Sequence, residues 1–139
     1  MMMESIWEFH VRFGETDMAG IVYYPNYYQW MDSATHHLLR RTNYPTTTIT
    51  SIQKGFPLLE ANCKFYHPLR FDDEVRVVSK INEVKSKVVT IVHQFMKKEN
   101  GQLVAEGQET RVWVSFAEGQ LKAESIPQDL RQSFIGSTS

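Results

Sequence analysis

One segment decides what this chain can fold into. From Pro25 to about Arg41, the apolar residues Tyr27, Met31, Ala34 and Leu38 recur at steps of four, three and four, while Gln29, Asp32, Ser33, His36 and Arg40 fall elsewhere. That spacing places the apolar side chains on one face of an α-helix. Pro25 suits the first turn, where its missing N–H costs nothing. Asn43-Tyr44-Pro45 ends the helix, because a proline pushes the residue before it out of helical geometry. No other stretch predicts a long helix. A helix with one apolar face must bury it against something, and the remaining pattern supplies strands.

Ser5 to Phe13 alternates Trp7, Phe9, Val11 and Phe13 with Glu8, His10 and Arg12, which predicts a half-buried strand. Gly14 to Gly20 breaks that pattern into a loop. After a Thr-rich loop, Pro57 to Tyr66 alternates Leu59, Ala61, Cys63 and Phe65 with Glu60, Asn62 and Lys64. Asp73 to Val84 and Lys87 to Lys98 are Val- and Ile-rich strands. Asn100-Gly101 marks a tight hairpin. Leu103 to Phe116 is a long strand with Thr110, Val112, Val114 and Phe116 on one face. Gly119 turns into a short last strand, and Pro127 to Phe134 forms a terminal helical turn. One helix and about five strands without intervening helices predict an α+β fold, an antiparallel sheet wrapped around the helix. Trp30, Trp113 and the other aromatics fill its core. The 139 residues fit one domain spanning 1–139, with Gly136–Ser139 as a frayed tail.

Several classes are excluded by what the chain lacks. A net charge of −1 gives no general attraction to nucleic acid or anionic membrane, and the basic residues lack the density and interleaved aromatics of a nucleic-acid surface. The longest uncharged stretch, Met18 to Met31, is broken by Gly20, Pro25 and Asn26 and is too short to span a bilayer. The amino terminus shows no secretory pattern. A single cysteine, Cys63, forbids an intrachain disulfide and fits a reducing, cytoplasmic setting, where it serves as a small buried hydrophobe. There is no phosphate-binding Gly-rich loop and no G-x-S-x-G elbow. His36 and His37 are adjacent, so on a helix they point about 100° apart, which is poor metal geometry.

Chemistry concentrates in Phe13-Gly14-Glu15-Thr16-Asp17-Met18-Ala19-Gly20-Ile21-Val22-Tyr23-Tyr24-Pro25-Asn26-Tyr27. Asp17 sits in a glycine-flanked loop just before the helix. From spacing alone the plainer reading is a loop or cap residue that satisfies backbone N–H groups. The alternative is chemical. A helix amino end offers unpaired N–H groups and partial positive charge, which can hold a carbonyl oxygen as it turns negative. A carboxylate beside it can attack the carbonyl carbon or activate water.

The same segment resembles the signature of the 4-hydroxybenzoyl-CoA thioesterase family of the hotdog-fold superfamily, roughly F-G-[DE]-[TC]-D-x-x-G-[IV]-V-[YWF]-[YFH]-x-x-Y. Further along, Phe65-Tyr66-His67-Pro68-Leu69-Arg70-Phe71-Asp72-Asp73-Glu74 resembles that family's Y-x-x-P-x-x-x-x-D-E turn. The resemblance implies a hotdog fold and hydrolysis of an acyl- or aryl-CoA thioester to a carboxylate and free coenzyme A. It implies Asp17 as nucleophile or general base and the Tyr24 backbone N–H as the group polarising the thioester carbonyl. It further implies Val22, Tyr23 and Tyr27 near the acyl group, and Lys85 and Lys87 meeting coenzyme A phosphates. No metal or cofactor of its own is implied. Homo-oligomerisation is, as a dimer or a dimer of dimers (a homotetramer) with active sites between subunits.

Departures from the signature are small. Glu15 stands where many relatives have aspartate, and Tyr24 where a large subgroup has histidine. Asp32 is read as an exposed or structural helix carboxylate. A hotdog hydratase is disfavoured because the residue five after Asp17 is Val22, not histidine. A non-catalytic acyl-CoA or acyl-carrier-protein binding module is the alternative of a different class. Asp17 argues against it as an odd charge to keep beside a bound thioester.

Overall fold

The computed structural model describes residues 2–136. Of the tail expected to fray, only Gly136 falls among them. The predicted helix is α1 (Pro25–Leu39), capped by Arg40, and its apolar stripe of Tyr27, Met31, Ala34 and Leu38 is buried throughout. Burying side chains of this size contributes about 1.5–3 kcal/mol each for the larger ones.

The stripe lies on a five-stranded antiparallel sheet built from β1 (Glu4–His10), β3 (Leu58–Phe65), β4 (Glu74–Val84), β5 (Val88–Lys97) and β6 (Leu103–Val112), in the order β1-β4-β5-β6-β3. This is the helix-in-sheet arrangement the sequence predicts. A second sheet joins β2 (Lys54–Gly55), β7 (Val114–Ser115) and β8 (Lys122–Ala123), with β7 in the middle.

One glycine sets how closely the layers approach. Gly107 faces α1, and a Cβ there would stand 2.2 Å from the Met31 Sδ. Its missing side chain lets Met31 rest on the strand.

Two apolar clusters fill the space between helix and sheet. Val11, Val22, Tyr27, Trp30, Met31, Val75, Val77 and Phe95 gather around the first half of α1. Leu38, Leu39, Ile81, Ile91, Trp113, Leu130 and Phe134 gather around the second. Between them runs a buried polar belt: Ser79, His93, Glu109 and Arg111 from the sheet, and Thr35 from the helix. Alternation alone did not reveal it, because the pattern marks which face is buried and says nothing about a polar layer within that face.

The structure revises six local expectations. Phe13 leaves the strand pattern: β1 ends at His10, a 3-10 turn covers Phe13–Glu15, and the Phe13 ring is exposed against Phe71. The Thr-rich loop contains α2 (Thr46–Ser51), anchored by buried Ile49 and by hydroxyl bonds from Thr50 to the Thr46 carbonyl and from Ser51 to the Thr48 carbonyl. Tertiary anchoring outweighs the low helix propensity of threonine. Asn100-Gly101 sits in a longer loop, since Met96 pairs with Leu103. The long last strand breaks at Trp113, whose N–H donates to the Lys87 carbonyl and whose carbonyl accepts from Glu124. Val114 therefore turns inward while Phe116 stays exposed, and the two do not share a face with Thr110. The terminal turn is a two-turn helix, α3 (Gln128–Ile135). Cys63 is half-buried, and burial pushes its thiol up to about 11.

Candidate active site

The two motifs that carried the resemblance, separated by some forty residues of sequence, come together in space. The Val22 N–H donates to the Leu69 carbonyl at 2.8 Å, the Val11 N–H to Asp73 at 2.9 Å and the Asp72 N–H to Val11 at 2.8 Å. Asp73 closes its own turn by accepting from the Arg70 N–H at 2.8 Å.

Within the first motif, Thr16 bridges to Val22, and the Asp17 N–H donates to Ile21 at 2.9 Å. The Gly20 N–H returns to the Asp17 carbonyl at 2.9 Å with φ +80°, a left-handed conformation that favours glycine. Asp17 is exposed. Its Oδ1 accepts from the Ala19 N–H at 2.9 Å, and Oδ2 has no protein partner among the described residues. The carboxylate is held by its own loop yet keeps one oxygen open. The bond to the Ala19 N–H is the loop role of the plainer reading, and the open second oxygen is what that role leaves unused.

The mouth of α1 is nearly closed to further hydrogen bonding. Pro25 has no N–H, the Asn26 N–H donates to Tyr23 at 3.0 Å and the Tyr27 N–H to Tyr24 at 3.1 Å. The Tyr24 N–H has no protein partner among the described residues, so it is the donor available there to an incoming oxygen.

Beside this donor lies an apolar cleft of about 430 Å³, walled on one side by Ile21, Val22, Tyr24 and Tyr27 and on the other by the run Phe65–Leu69. The Tyr27 ring packs edge-on against Phe65 at 4.9 Å, and burial raises its hydroxyl well above the usual tyrosine range. The structure therefore brings Val22, Tyr24 and Tyr27 together at the cleft. Tyr23 is exposed and touches Tyr24 edge-on at 5.5 Å without lining it.

Lys85 and Lys87 lie elsewhere. Both are exposed in the turn after β4, whose start is next to the Asp17 loop and whose end is roughly 30 Å further along at about 3.3 Å per residue. Lys85 Nζ stands 4.0 Å from Glu83.

Two features escaped the sequence reading. Phe65, Tyr66, His67, Pro68 and Leu69 form half of the cleft, a role signalled only by the second motif and by Pro68 ending the strand pattern. Glu15 is the other. Only 8% exposed, it accepts from the Arg12 N–H at 2.7 Å and from the Trp30 Nε1–H at 2.9 Å. Asp32, by contrast, is the half-exposed helix carboxylate expected, bonded to Arg111 and His36. No cluster of three or more His, Cys, Asp or Glu side chains suited to a metal occurs among the described residues. No helix there is long and apolar enough to cross a membrane.

The family model of the thioesterase-like superfamily matches residues 11–134. A 4-hydroxybenzoyl-CoA thioesterase of Pseudomonas sp. (strain CBS-3) is 29% identical over 125 residues, covering 86% of this chain and 89% of that protein. Among solved structures, a gentisyl-coenzyme A thioesterase superposes with a TM-score of 0.84 at 42% identity, covering 95% of this chain and all of its own. A 4-hydroxybenzoyl-CoA thioesterase mutant complexed with 4-hydroxybenzoyl-CoA superposes with a TM-score of 0.86 at 26% identity, covering 94% of this chain and 98% of its own. The matched span contains both motifs and nearly every element of the helix-and-sheet scaffold, so the chain belongs to the thioesterase-like superfamily, as a thioester hydrolase of the hotdog fold.

Proposed function

We propose that this protein hydrolyses an aryl- or acyl-CoA thioester, with Asp17 as nucleophile or general base and the Tyr24 N–H as the oxyanion donor. The observation that carries this reading is an apolar cleft beside an unpaired helix-mouth N–H, with the neighbouring loop of Asp17 bonded to the cleft wall through the Asp17 N–H and Ile21. Asp17 itself does not line the cleft, and its carboxylate keeps one oxygen open. In the general-base route, water attacks the carbonyl carbon while Asp17 takes its proton. The oxygen that becomes negative is held by the Tyr24 N–H. Collapse breaks the C–S bond, and the thiolate of coenzyme A leaves with the proton. In the nucleophilic route, the Asp17 carboxylate attacks and the C–S bond breaks to expel the coenzyme A thiolate. Water then cleaves the mixed anhydride, restoring Asp17 and supplying the proton the thiolate takes.

An aromatic acyl group is favoured, because Tyr24, Tyr27, Phe65 and Tyr66 line the cleft and the relatives compared above are named for 4-hydroxybenzoyl-CoA and gentisyl-CoA. No cofactor beyond the coenzyme A of the substrate enters these steps. The working unit is a homo-oligomer, a dimer or dimer of dimers. In support, β3 is a sheet edge whose Leu58, Leu59 and Phe65 are exposed and which runs directly into the cleft wall, and an uncovered apolar edge calls for a partner. Because Lys85 and Lys87 are remote within the chain, any contact they make with coenzyme A phosphates comes from a neighbouring subunit. Its place is the cytoplasm, in keeping with the unpaired Cys63.

The test is thiol release from 4-hydroxybenzoyl-CoA, gentisyl-CoA and straight-chain acyl-CoAs by the native protein and by Asp17→Asn. Turnover should fall by about a hundredfold or more. Native-like turnover by the variant would overturn the assignment of Asp17. Tight acyl-CoA binding without thiol release by the native protein would instead point to a binding module.

A further inference from the structure

Glu15 occupies an unusual place in an otherwise exposed loop, and its backbone carbonyl explains why. That one oxygen accepts from the Tyr23 N–H at 2.8 Å and from the Asn26 side-chain Nδ2 at 2.8 Å. Tyr23 immediately precedes the Tyr24 donor, and Asn26 follows it by two residues, so the peptide carrying the oxyanion N–H is suspended from both sides on the Glu15 carbonyl. The Glu15 side chain is fixed in turn, with one oxygen on the Arg12 N–H and the other on the Trp30 indole within the apolar cluster. The Arg12 guanidinium stands 3.5 Å away. Asp17 lies two residues downstream, in the arm that the Thr16–Val22 bridge closes. One buried residue therefore references both reacting groups to the rigid interior of α1.

We infer that Glu15, acting through Asn26 and Trp30, is a positioning residue that fixes the separation between the Asp17 carboxylate and the Tyr24 N–H. This rests on the thioesterase reading above. The interaction being protected strengthens as charge develops on the carbonyl oxygen, so loosening it lowers kcat more than it weakens substrate binding. A merely structural role would instead lower the amount of folded enzyme, leaving kcat per active site and KM alone.

The experiment compares Trp30→Phe, which keeps a ring in the core but removes the indole N–H, with Asn26→Ala, which removes one of the two bonds to the Glu15 carbonyl. Kinetics are measured on 4-hydroxybenzoyl-CoA, or on whichever acyl-CoA the native protein turns over best, with the folded fraction fixed by calorimetry. Asp17→Asn runs in parallel. Each positioning variant should lose about ten- to a hundredfold in kcat with KM within about threefold. Asn26→Gln, which keeps the amide donor, should recover part of the loss. Folded Trp30→Phe and Asn26→Ala with kcat within twofold of the native enzyme, while Asp17→Asn is inactive, would overturn the inference and leave the thioesterase reading standing. If Trp30→Phe does not fold, Asn26→Ala alone decides. Native-like turnover by Asp17→Asn would remove the underlying reading and this inference together.

Discussion

Two carboxylates in this molecule show opposite uses of the same functional group. Asp17 sits in an exposed loop where, among the described residues, its carboxylate accepts only from the Ala19 N–H and keeps its second oxygen open. Glu109 lies 1% exposed beneath α1. One of its oxygens faces Thr35 Oγ1, His93 Nε2 at 3.0 Å and Arg111 Nε at 3.3 Å, and the other accepts from Arg111 Nη2 at 2.8 Å. Burial by itself would raise the Glu109 pKa, but hydrogen bonds and charge from His93 and Arg111 outweigh it and bring it down to about 2. Glu109 is thus an ionised acid with no capacity left for a substrate, whereas Asp17 gives up some stabilisation to stay available. A deeply buried, strongly shifted acid is often taken as a sign of function. Here the open valence belongs to the acid we propose as reactive, and the saturated acid belongs to the scaffold.

Substitutions can break or sharpen that contrast. The largest stability effect is expected from Glu109→Gln, which leaves Arg111 and His93 without their buried partner and should cost about 3–5 kcal/mol, read by chemical or thermal unfolding. Acid titration adds a signed test. Because the folded pKa of Glu109 is depressed from 4.5 to about 2, its contribution is complete above the unfolded value and fades as pH falls through that window. The stability gap between native protein and Glu109→Gln should therefore narrow from pH 5 to about pH 2. A constant gap would show that Glu109 is not ionised in the belt.

Gly107→Ala comes next. Its Cβ would press on the Met31 Sδ and stand 3.1 Å from the Asn62 carbonyl, lifting the helix that delivers Thr35 and Asp32 to the belt. A loss of about 1–3 kcal/mol is expected in the same unfolding assay. Asp32→Asn should cost only about 0.5–1 kcal/mol, since Asp32 is half-exposed and shares its oxygens between Arg111 at 3.0 Å and His36 at 3.2 Å. Asp17→Asn is expected to be smallest, within about 0.5 kcal/mol, because asparagine keeps an oxygen for the Ala19 N–H. A nearly native melting curve combined with lost turnover would complete the contrast with Glu109. A large stability loss at position 17 would collapse it.

Much of this was legible in the chain itself. The stripe of Tyr27, Met31, Ala34 and Leu38 defined α1 because helical periodicity is a local property of backbone geometry. The alternation of Leu103–Val112 and its neighbours defined the strands for the same reason. Asp17 and Tyr24 were singled out as candidates by the short motif around them, and the pattern near Pro68 hinted at the second half of the cleft. Less accessible was anything that depended on which distant residue would fill a valence. Glu15 read as a mild variation at a loop position until Trp30 supplied its partner fifteen residues away. Phe13 continued a strand pattern that the turn into Glu15 then broke. Lys85 and Lys87 shared a basic character with no indication of how far along β4 they would lie from Asp17.

By itself, then, the sequence determined the helix, the strands around it and the loop in which an acid precedes the helix mouth, since each depends on residues within a few positions of one another. Only the tertiary structure decided that the Tyr24 N–H would be left open, that Glu15 would hold its peptide in place, and that Glu109 would be saturated while Asp17 was not. Hydrogen bonds saturate, and which donors and acceptors remain unpaired is fixed only when segments far apart in the chain are brought into contact.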